Sequence, residues 1–485
     1  MGKRFQIKAM SLVLCFVVLA YALSTAVFAH MAMSREAETH ILDELRRARI
    51  PNAAIAVTQD GETSYIFRDS THETLFQIGS ISKSFTGFGV LLLEDMGLLS
   101  VYDSVNQHLP WFEVRYNGEP VPHGDISVYN LLQHTSGLTS DERRFPSAFI
   151  ETTDELISRY TGIELAFYPS TRHVYGNVNY VILGLLIEVV SGQSYDAFMT
   201  EQVLHPLGLY NTFTNTERAY ETGQVIGGNR LRFLQAVAWN PPVNPITIPT
   251  GYIYSDITDM ARWAGVHLGT VDISEQFVRV VQRSHENIGS MDFFAHGNYF
   301  YTAGWNVTEE GDRVRHNGST PGYSASLRIY PHTNTAVVVL GNLTDGLVPF
   351  GAFVSDIIAG EPFGRVGMGF NTILDLFLTV LTISGIVYVG LLIRLSIKLT
   401  KRLRSGAVIK GSFALKNIKW LFDPIFAIIG LIAIYVVPSI YGNTSYQFAI
   451  MFSPASMTPA IIATWIGVVY SLFSWWTKVF VRPIE

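Results

Sequence analysis

Phe76-Gln77-Ile78-Gly79-Ser80-Ile81-Ser82-Lys83-Ser84-Phe85-Thr86-Gly87 places a serine and a lysine three residues apart at the head of an apolar-rich run. The run from Ser82 to Met96 predicts a largely buried helix, stopped at Gly97. Residues three apart on a helix share a face, so Ser80 and Lys83 can meet. A serine hydroxyl is a poor nucleophile until a base takes its proton. A lysine serves as that base only when burial or another cation lowers its pKa. The helix N-terminus adds a partial positive charge that favours negative charge developing beside it. Ser-x-x-Lys by itself should arise by chance about once or twice in a chain of this size. What surrounds the pair therefore carries the weight.

Further segments follow in order. They are Leu131-Leu132-Gln133-His134-Thr135-Ser136-Gly137-Leu138, then Tyr175-Gly176-Asn177 with Asn179-Tyr180 and Leu183-Gly184, then Pro206-Leu207-Gly208-Leu209. Tyr254-Ser255-Asp256, Asp259-Met260-Ala261-Arg262-Trp263 and finally His316-Asn317-Gly318 before Pro321-Gly322-Tyr323 complete the set. This ordered set resembles the serine β-lactamase and penicillin-binding-protein superfamily, in its class-C-like, D-alanyl-D-alanine carboxypeptidase-like branch. The resemblance runs over roughly residues 35–360. Its nearest form is the penicillin-binding-protein-like membrane protein of Gram-positive type, in which this domain precedes a C-terminal membrane segment.

The resemblance implies an α+β fold, an antiparallel sheet flanked by helices plus an all-helical domain. It implies that Ser80 attacks a carbonyl to form an acyl-enzyme, with Lys83 and Tyr175 sharing the proton traffic. A tyrosine flanked by cations could serve as a phenolate base. Asn177 would bond Lys83 and a substrate amide, and the N–H groups of Ser80 and Ser319 would form an oxyanion hole. His316, Asn317, Gly318 and Ser319 would line the substrate. His134 reads as structural, holding its loop. Two departures matter. His-Asn-Gly stands where many relatives have Lys-Thr-Gly; a histidine version occurs in the peptidase branch and makes the site's charge depend on pH near neutrality. Asn317 also removes a hydroxyl that helps dock a substrate carboxylate.

The two ends of the chain read differently. Of 485 residues, 48% are hydrophobic and 15% charged, against roughly 25% charged in ordinary soluble chains. Lys3, Arg4 and Lys8 precede an apolar run from Ala9 to Ala29, so residues 1–29 form a signal peptide or an N-terminal membrane anchor. Thr372–Ile393, Leu421–Ile440 and Ala460–Trp476 are three candidate transmembrane helices. Asp375 and Asp423 fall near span ends, where a charge is cheapest. Residues 394–419 carry eight Lys/Arg and no acid, which puts that loop in the cytoplasm and residues 34–360 outside. Setting aside both ends leaves 20 basic and 36 acidic residues in 34–360. That excess of acid argues against a nucleic-acid partner. Cys15 is the only cysteine, which excludes disulfides, thiol catalysis and cysteine-ligated zinc in the external domain. No zinc-protease, Walker A or Gly-x-Ser-x-Gly motif occurs, and no metal or cofactor is expected.

Pro51–Phe67 reads as strand, turn, strand, and Asn179–Val190 as a helix stopped at Gly192. Ser324–Tyr330 and Ala336–Leu340 read as a hairpin around Pro331-His332-Thr333-Asn334, followed by a helix over Asp345–Ala359. Strands at both domain ends, with helices between them, predict a sheet that unites the termini. Gly360–Gly364 then links to the membrane. The expected partners are a lipid membrane and a small acyl or D-amino-acid peptide substrate. An esterase or transacylase on another acyl conjugate, or a sensor that traps an acyl group without turnover, are the alternatives; no feature favours a β-lactamase.

Overall fold

In the sheet, two strands from opposite ends of the domain pair side by side, and their alternation makes two cores. The computed structural model describes residues 34–141, 151–287, 294–296, 298–367, 369–406, 408–409, 422–440 and 446–482. The signal or anchor expected at 1–29 and positions 410–419 of the expected basic loop lie outside the described residues. Strands β1 (Ala53–Gln59) and β2 (Glu62–Arg68) turn at Asp60-Gly61, both at positive φ, as the strand-turn-strand reading predicts. β3 (Phe294–His296), β4 (Tyr299–Tyr301), β5 (Asn306–Thr308), β6 (Val314–Thr320), β7 (Tyr323–Tyr330) and β8 (Thr335–Gly341) come from the other end. The antiparallel order is β3-β4-β5-β6-β7-β8-β1-β2, and Ala53 pairs with Gly341 through to Gln59 with Thr335. The sheet therefore unites the termini as expected.

Side chains on a strand point to alternate faces. Ala54, Ala56, Ala336, Val338 and Leu340 join the larger core, together with residues of α2 (Ser82–Asp95), α3 (Asn177–Ser191), α4 (Ile257–Leu268) and α5 (Glu275–His285). Ala53, Ile55, Val57, Val337 and Val339 join the smaller one, covered by α1 (Arg35–Arg47) and α6 (Phe350–Ile358). Both faces of β8 are thus buried, which is why it reads as an unbroken apolar run. α2 stops at the left-handed Gly97 and α3 at the left-handed Gly192, as predicted. α3 is as apolar as a membrane span, yet its residues Val178–Leu183 are buried inside the larger core, where an all-round apolar helix belongs.

The predicted helix over Asp345–Ala359 is shorter, Phe350–Ile358. Asp345 sits at φ +56, and Val348, preceding Pro349, is biased away from helical geometry.

After the linker come α7 (Phe370–Arg404), α8 (Phe422–Ile440) and α9 (Met457–Phe480). α7 and α9 are long and apolar enough to cross a membrane, with mean hydropathy 2.4 and 1.5 over an 18-residue stretch of each, and α8 packs against α9. Ile373, Phe377, Val380, Ile383 and Ile386 on α7 are each more than half exposed, a stripe suited to lipid. α7 continues through the first part of the predicted basic loop, because Lys398, Lys401, Arg402 and Arg404 are good helix formers and suit its negative C-terminal end. Gly385 lets α7 and α9 touch: a Cβ there would lie 2.3 Å from that of Ala463. Asp375 falls in the second turn of α7, near the span end, as predicted. It is fully buried and hydrogen-bonded.

Candidate active site

Ser80 lies in a 3-10 turn, Gly79–Ile81, with the α-helix beginning only at Ser82. The Ser82 hydroxyl closes the turn by donating to Gly79 O (2.7 Å), and Ile78 N–H donates to Ile253 O (3.0 Å). Gly79 has φ +57, and a Cβ on it would lie 2.3 Å from Ser319 N; one on Gly318 would lie 2.0 Å from Ile78 O. Only glycines at both places let the backbone of the Ser80 turn abut β6. Gln77 ties the two together, accepting from the Thr320 hydroxyl and donating to the Tyr254 hydroxyl, each at 2.7 Å.

Lys83 is fully buried in the first turn of α2. Its Nζ lies 3.2 Å from Ser80 Oγ and 2.9 Å from Asn177 Oδ1, and it donates to the carbonyl of Thr250. The ring faces of Tyr175 and Tyr180 stand 5.0 and 5.7 Å from it. Among the described residues no carboxylate bonds it, and burial drives its pKa well below that of a free lysine.

Tyr175 precedes α3. Its hydroxyl is buried without a hydrogen bond of ordinary geometry, with Ser80 and Tyr301 as polar neighbours. Burial raises its pKa, so desolvation works against the phenolate that the sequence reading allowed. His134, at φ +57 and fully buried, accepts at Nδ1 from Asn179 Nδ2 (3.1 Å), and its ring lies tilted against that of Tyr175, with centroids 4.3 Å apart. The sequence reads it as holding its own loop; in the fold it also takes hydrogen bonds from the Tyr175 segment, from Gly176 N–H at Nδ1 (3.4 Å) and from Val174 N–H at its carbonyl (3.1 Å).

His316 is buried on β6. Its Nδ1–H donates to Asn317 O (2.6 Å), and its Nε2 accepts from the Tyr301 hydroxyl (3.0 Å). Burial first, and Lys83 second, push its pKa down to about 3. His316 is therefore neutral throughout the physiological range, and the expected pH-dependent charge is absent. Asn317 and Ser319 alternate to the opposite face of β6, and the Asn317 amide oxygen accepts from Ser326 Oγ at 2.9 Å. The structure thus gathers Ser80, Lys83, Asn177 and Tyr175 around one amine, sets His316 behind them through Tyr301, and brings the Gly318-Ser319 backbone against the Ser80 turn. The Asn317 side chain is committed elsewhere. Sequence reasoning missed Thr250 and Tyr301. A carbonyl has no sequence signature, and Tyr301 looks like any strand aromatic.

The family model described as Beta-lactamase matches residues 35–352. The chain is 27% identical over 455 residues to Protein flp of Staphylococcus aureus (strain NCTC 8325 / PS 47), covering 90% of this chain and 89% of that one. It is 27% identical over 301 residues to Penicillin-binding protein 4* of Bacillus subtilis (strain 168), covering 56% of this chain and 61% of that protein. In fold it is similar to the octameric penicillin-binding protein homologue from Pyrococcus abyssi, with TM-score 0.57 and 23% identity over 68% of this chain and 78% of that one. A class C β-lactamase gives TM-score 0.57 and 19% identity over 68% of this chain and 97% of that one. With the family model spanning the whole sheet and the helices around Ser80, the chain belongs to the β-lactamase family and has the serine β-lactamase and penicillin-binding-protein fold.

Proposed function

We propose that this is a membrane-anchored, penicillin-binding-protein-like serine hydrolase that forms an acyl-enzyme at Ser80, acting on D-amino-acid peptides of the cell-wall type in the manner of a D-alanyl-D-alanine carboxypeptidase. The observation that carries this reading is the environment of Lys83 Nζ. A neutral amine has two N–H donors and one lone pair. Asn177 Oδ1 and the Thr250 carbonyl accept the two hydrogens, leaving the lone pair for the Ser80 hydroxyl 3.2 Å away. Lys83 is then the base. It takes the Ser80 proton as Oγ attacks the substrate carbonyl. The neutral phenol of Tyr175 passes a proton to the leaving amine as the C–N bond breaks, and regains one from the Lys83 ammonium. The N–H groups of Ser80 and Ser319 hold the oxyanion, Asn177 Nδ2 takes a substrate amide, and water later releases the acyl group.

Residues 34–360 are read as extracytoplasmic, with α7, α8 and α9 as three membrane passes and residues 1–29 as signal or anchor. The positive charge at the far end of α7 and on the following loop supports that orientation.

One observation favours a second reading, an esterase or transacylase on another acyl conjugate. The Asn317 side chain is bonded to Ser326 and offers no hydroxyl to a substrate carboxylate. Intact-mass analysis after exposure to β-lactams, D-Ala-D-Ala peptides and simple esters tests both. Wild type should gain one acyl mass that Ser80→Ala lacks, and the donor that reacts separates peptidase from esterase. An adduct persisting in Ser80→Ala sinks the assignment.

A further inference from the structure

Asn371 and Asp375 lie four residues apart in the first two turns of α7, on one face, and both are buried. The rest of that stretch presents Ile373, Phe377 and Val380 to the surroundings. A buried carboxylate at a membrane boundary is tolerated only with donors, and Asp375 has two from different parts of the chain. Oδ2 accepts from Leu234 N–H, at the tip of the hairpin formed by Asn229–Arg232 and Gln235–Ala238. Oδ1 accepts from Ser456, in the segment between α8 and α9. Asn371 Nδ2 donates to Asp345 Oδ2 (3.1 Å) and to Phe452 O (3.2 Å) in that same segment. The hairpin makes three more bonds to it: Ala455 N–H to Leu231 O (2.6 Å), Trp239 Nε1 to Met451 O (3.2 Å) and Arg230 to Ile450 O (3.2 Å).

Both clamped pieces also hold the end of β6. The turn after Ser319-Thr320 reaches Gly322, whose N–H donates to Thr344 Oγ1 (2.8 Å), next to Asp345; Gly322 O accepts from Asn229 N–H (3.0 Å), at the base of the hairpin. Thr344 N–H donates to Asn229 O (3.0 Å), closing the ring. Ser319 Oγ is buried beside the carboxyl of Asp345, the same carboxyl that Asn371 bonds. We propose that Asn371 and Asp375 are positioning residues, through which the docked membrane bundle holds the Ser319 end of β6 in register with Ser80. This rests on the acyl-transfer reading given above.

The test uses the full chain in nanodiscs and the burst of p-nitrophenyl acetate, whose amplitude counts competent sites and whose rate reports acylation. Asn371→Ala and Asp375→Leu should acylate about tenfold more slowly at full amplitude, with KM within twofold, since a displacement near 1 Å costs up to about a hundredfold. Asp375→Asn, which keeps one acceptor, should fall between. The lipid-facing Phe377→Ala should match wild type. Wild-type rates in all the variants, or a lowered amplitude with unchanged rate, overturn the proposal and leave the two residues as tethers. A burst that survives in Ser80→Ala removes the acyl-enzyme reading, and this proposal with it.

Discussion

Gly318→Ala is expected to slow acylation of Ser80 by about a hundredfold while the domain stays folded. The added methyl would sit 2.0 Å from Ile78 O, 2.9 Å from Ile78 C and 3.0 Å from Gly79 Cα. A comfortable carbon–oxygen approach is about 3.3 Å, so β6 and the Ser80 turn must part by roughly 1.3 Å. The turn has little freedom to yield. The Ile78 side chain is fully buried, its N–H is bonded to Ile253 O at 3.0 Å, and Gly79 is already in the left-handed region. β6 moves instead and carries Ser319 N–H away from the position where the oxyanion forms. A misplacement of about 1 Å can lower a rate about a hundredfold, equivalent to about 2.7 kcal/mol of transition-state stabilisation. Overpacking should lower stability by about 1–3 kcal/mol. The assay is the ester burst by stopped flow, paired with thermal unfolding. A burst within threefold of wild type at an unchanged melting temperature would refute the reasoning, because it would mean that the Ser80 turn and β6 need no fixed spacing.

Other perturbations probe the buried polar groups. Lys83→Met should abolish the burst yet raise the melting temperature at pH 7. Burial lowers the folded-state pKa of Lys83 below its unfolded value, so the unfolded state binds more protons between the two, and wild-type stability rises with pH across that window. The stability advantage of Lys83→Met should therefore shrink between pH 7 and pH 10; an advantage independent of pH would count against a neutral Lys83. Since His316 titrates only at about 3, the rate–pH profile of wild type and His316→Gln should have the same shape between pH 5 and 8. An inflection near 6.5 that vanishes in the variant would contradict this. Tyr301→Phe leaves His316 Nε2 buried without its donor, and unfolding should show a loss of about 1–3 kcal/mol; no loss would place water at that nitrogen.

The ordered motifs, the glycine stops of α2 and α3, the pairing of strands from opposite ends and the apolar helices of the tail were all legible in the amino-acid order. Each depends on local chemistry: periodicity, turn residues, or residue types at short spacing. The Asn317 side chain, the extent of α7 and the start of α6 were less so, because they depend on which face or neighbour each residue meets. Protonation lay further out of reach. Lys83 is a candidate base because Asn177 and Thr250, separated from it by 94 and 167 residues, consume its hydrogens inside a dry core. His316 looked like a pH-sensitive charge in sequence and is a neutral acceptor in the fold, since burial disfavours the cation and Tyr301 supplies the donor. Asp375 reads in sequence as a tolerated charge at a span end, and the fold also bonds it to two distant segments. The sequence by itself determined the family resemblance, the domain order and the glycines that bring Ser80 against β6. Only the tertiary structure decided which groups are dry and what each is bonded to, because desolvation and long-range hydrogen bonds belong to the packed chain and not to any stretch of it.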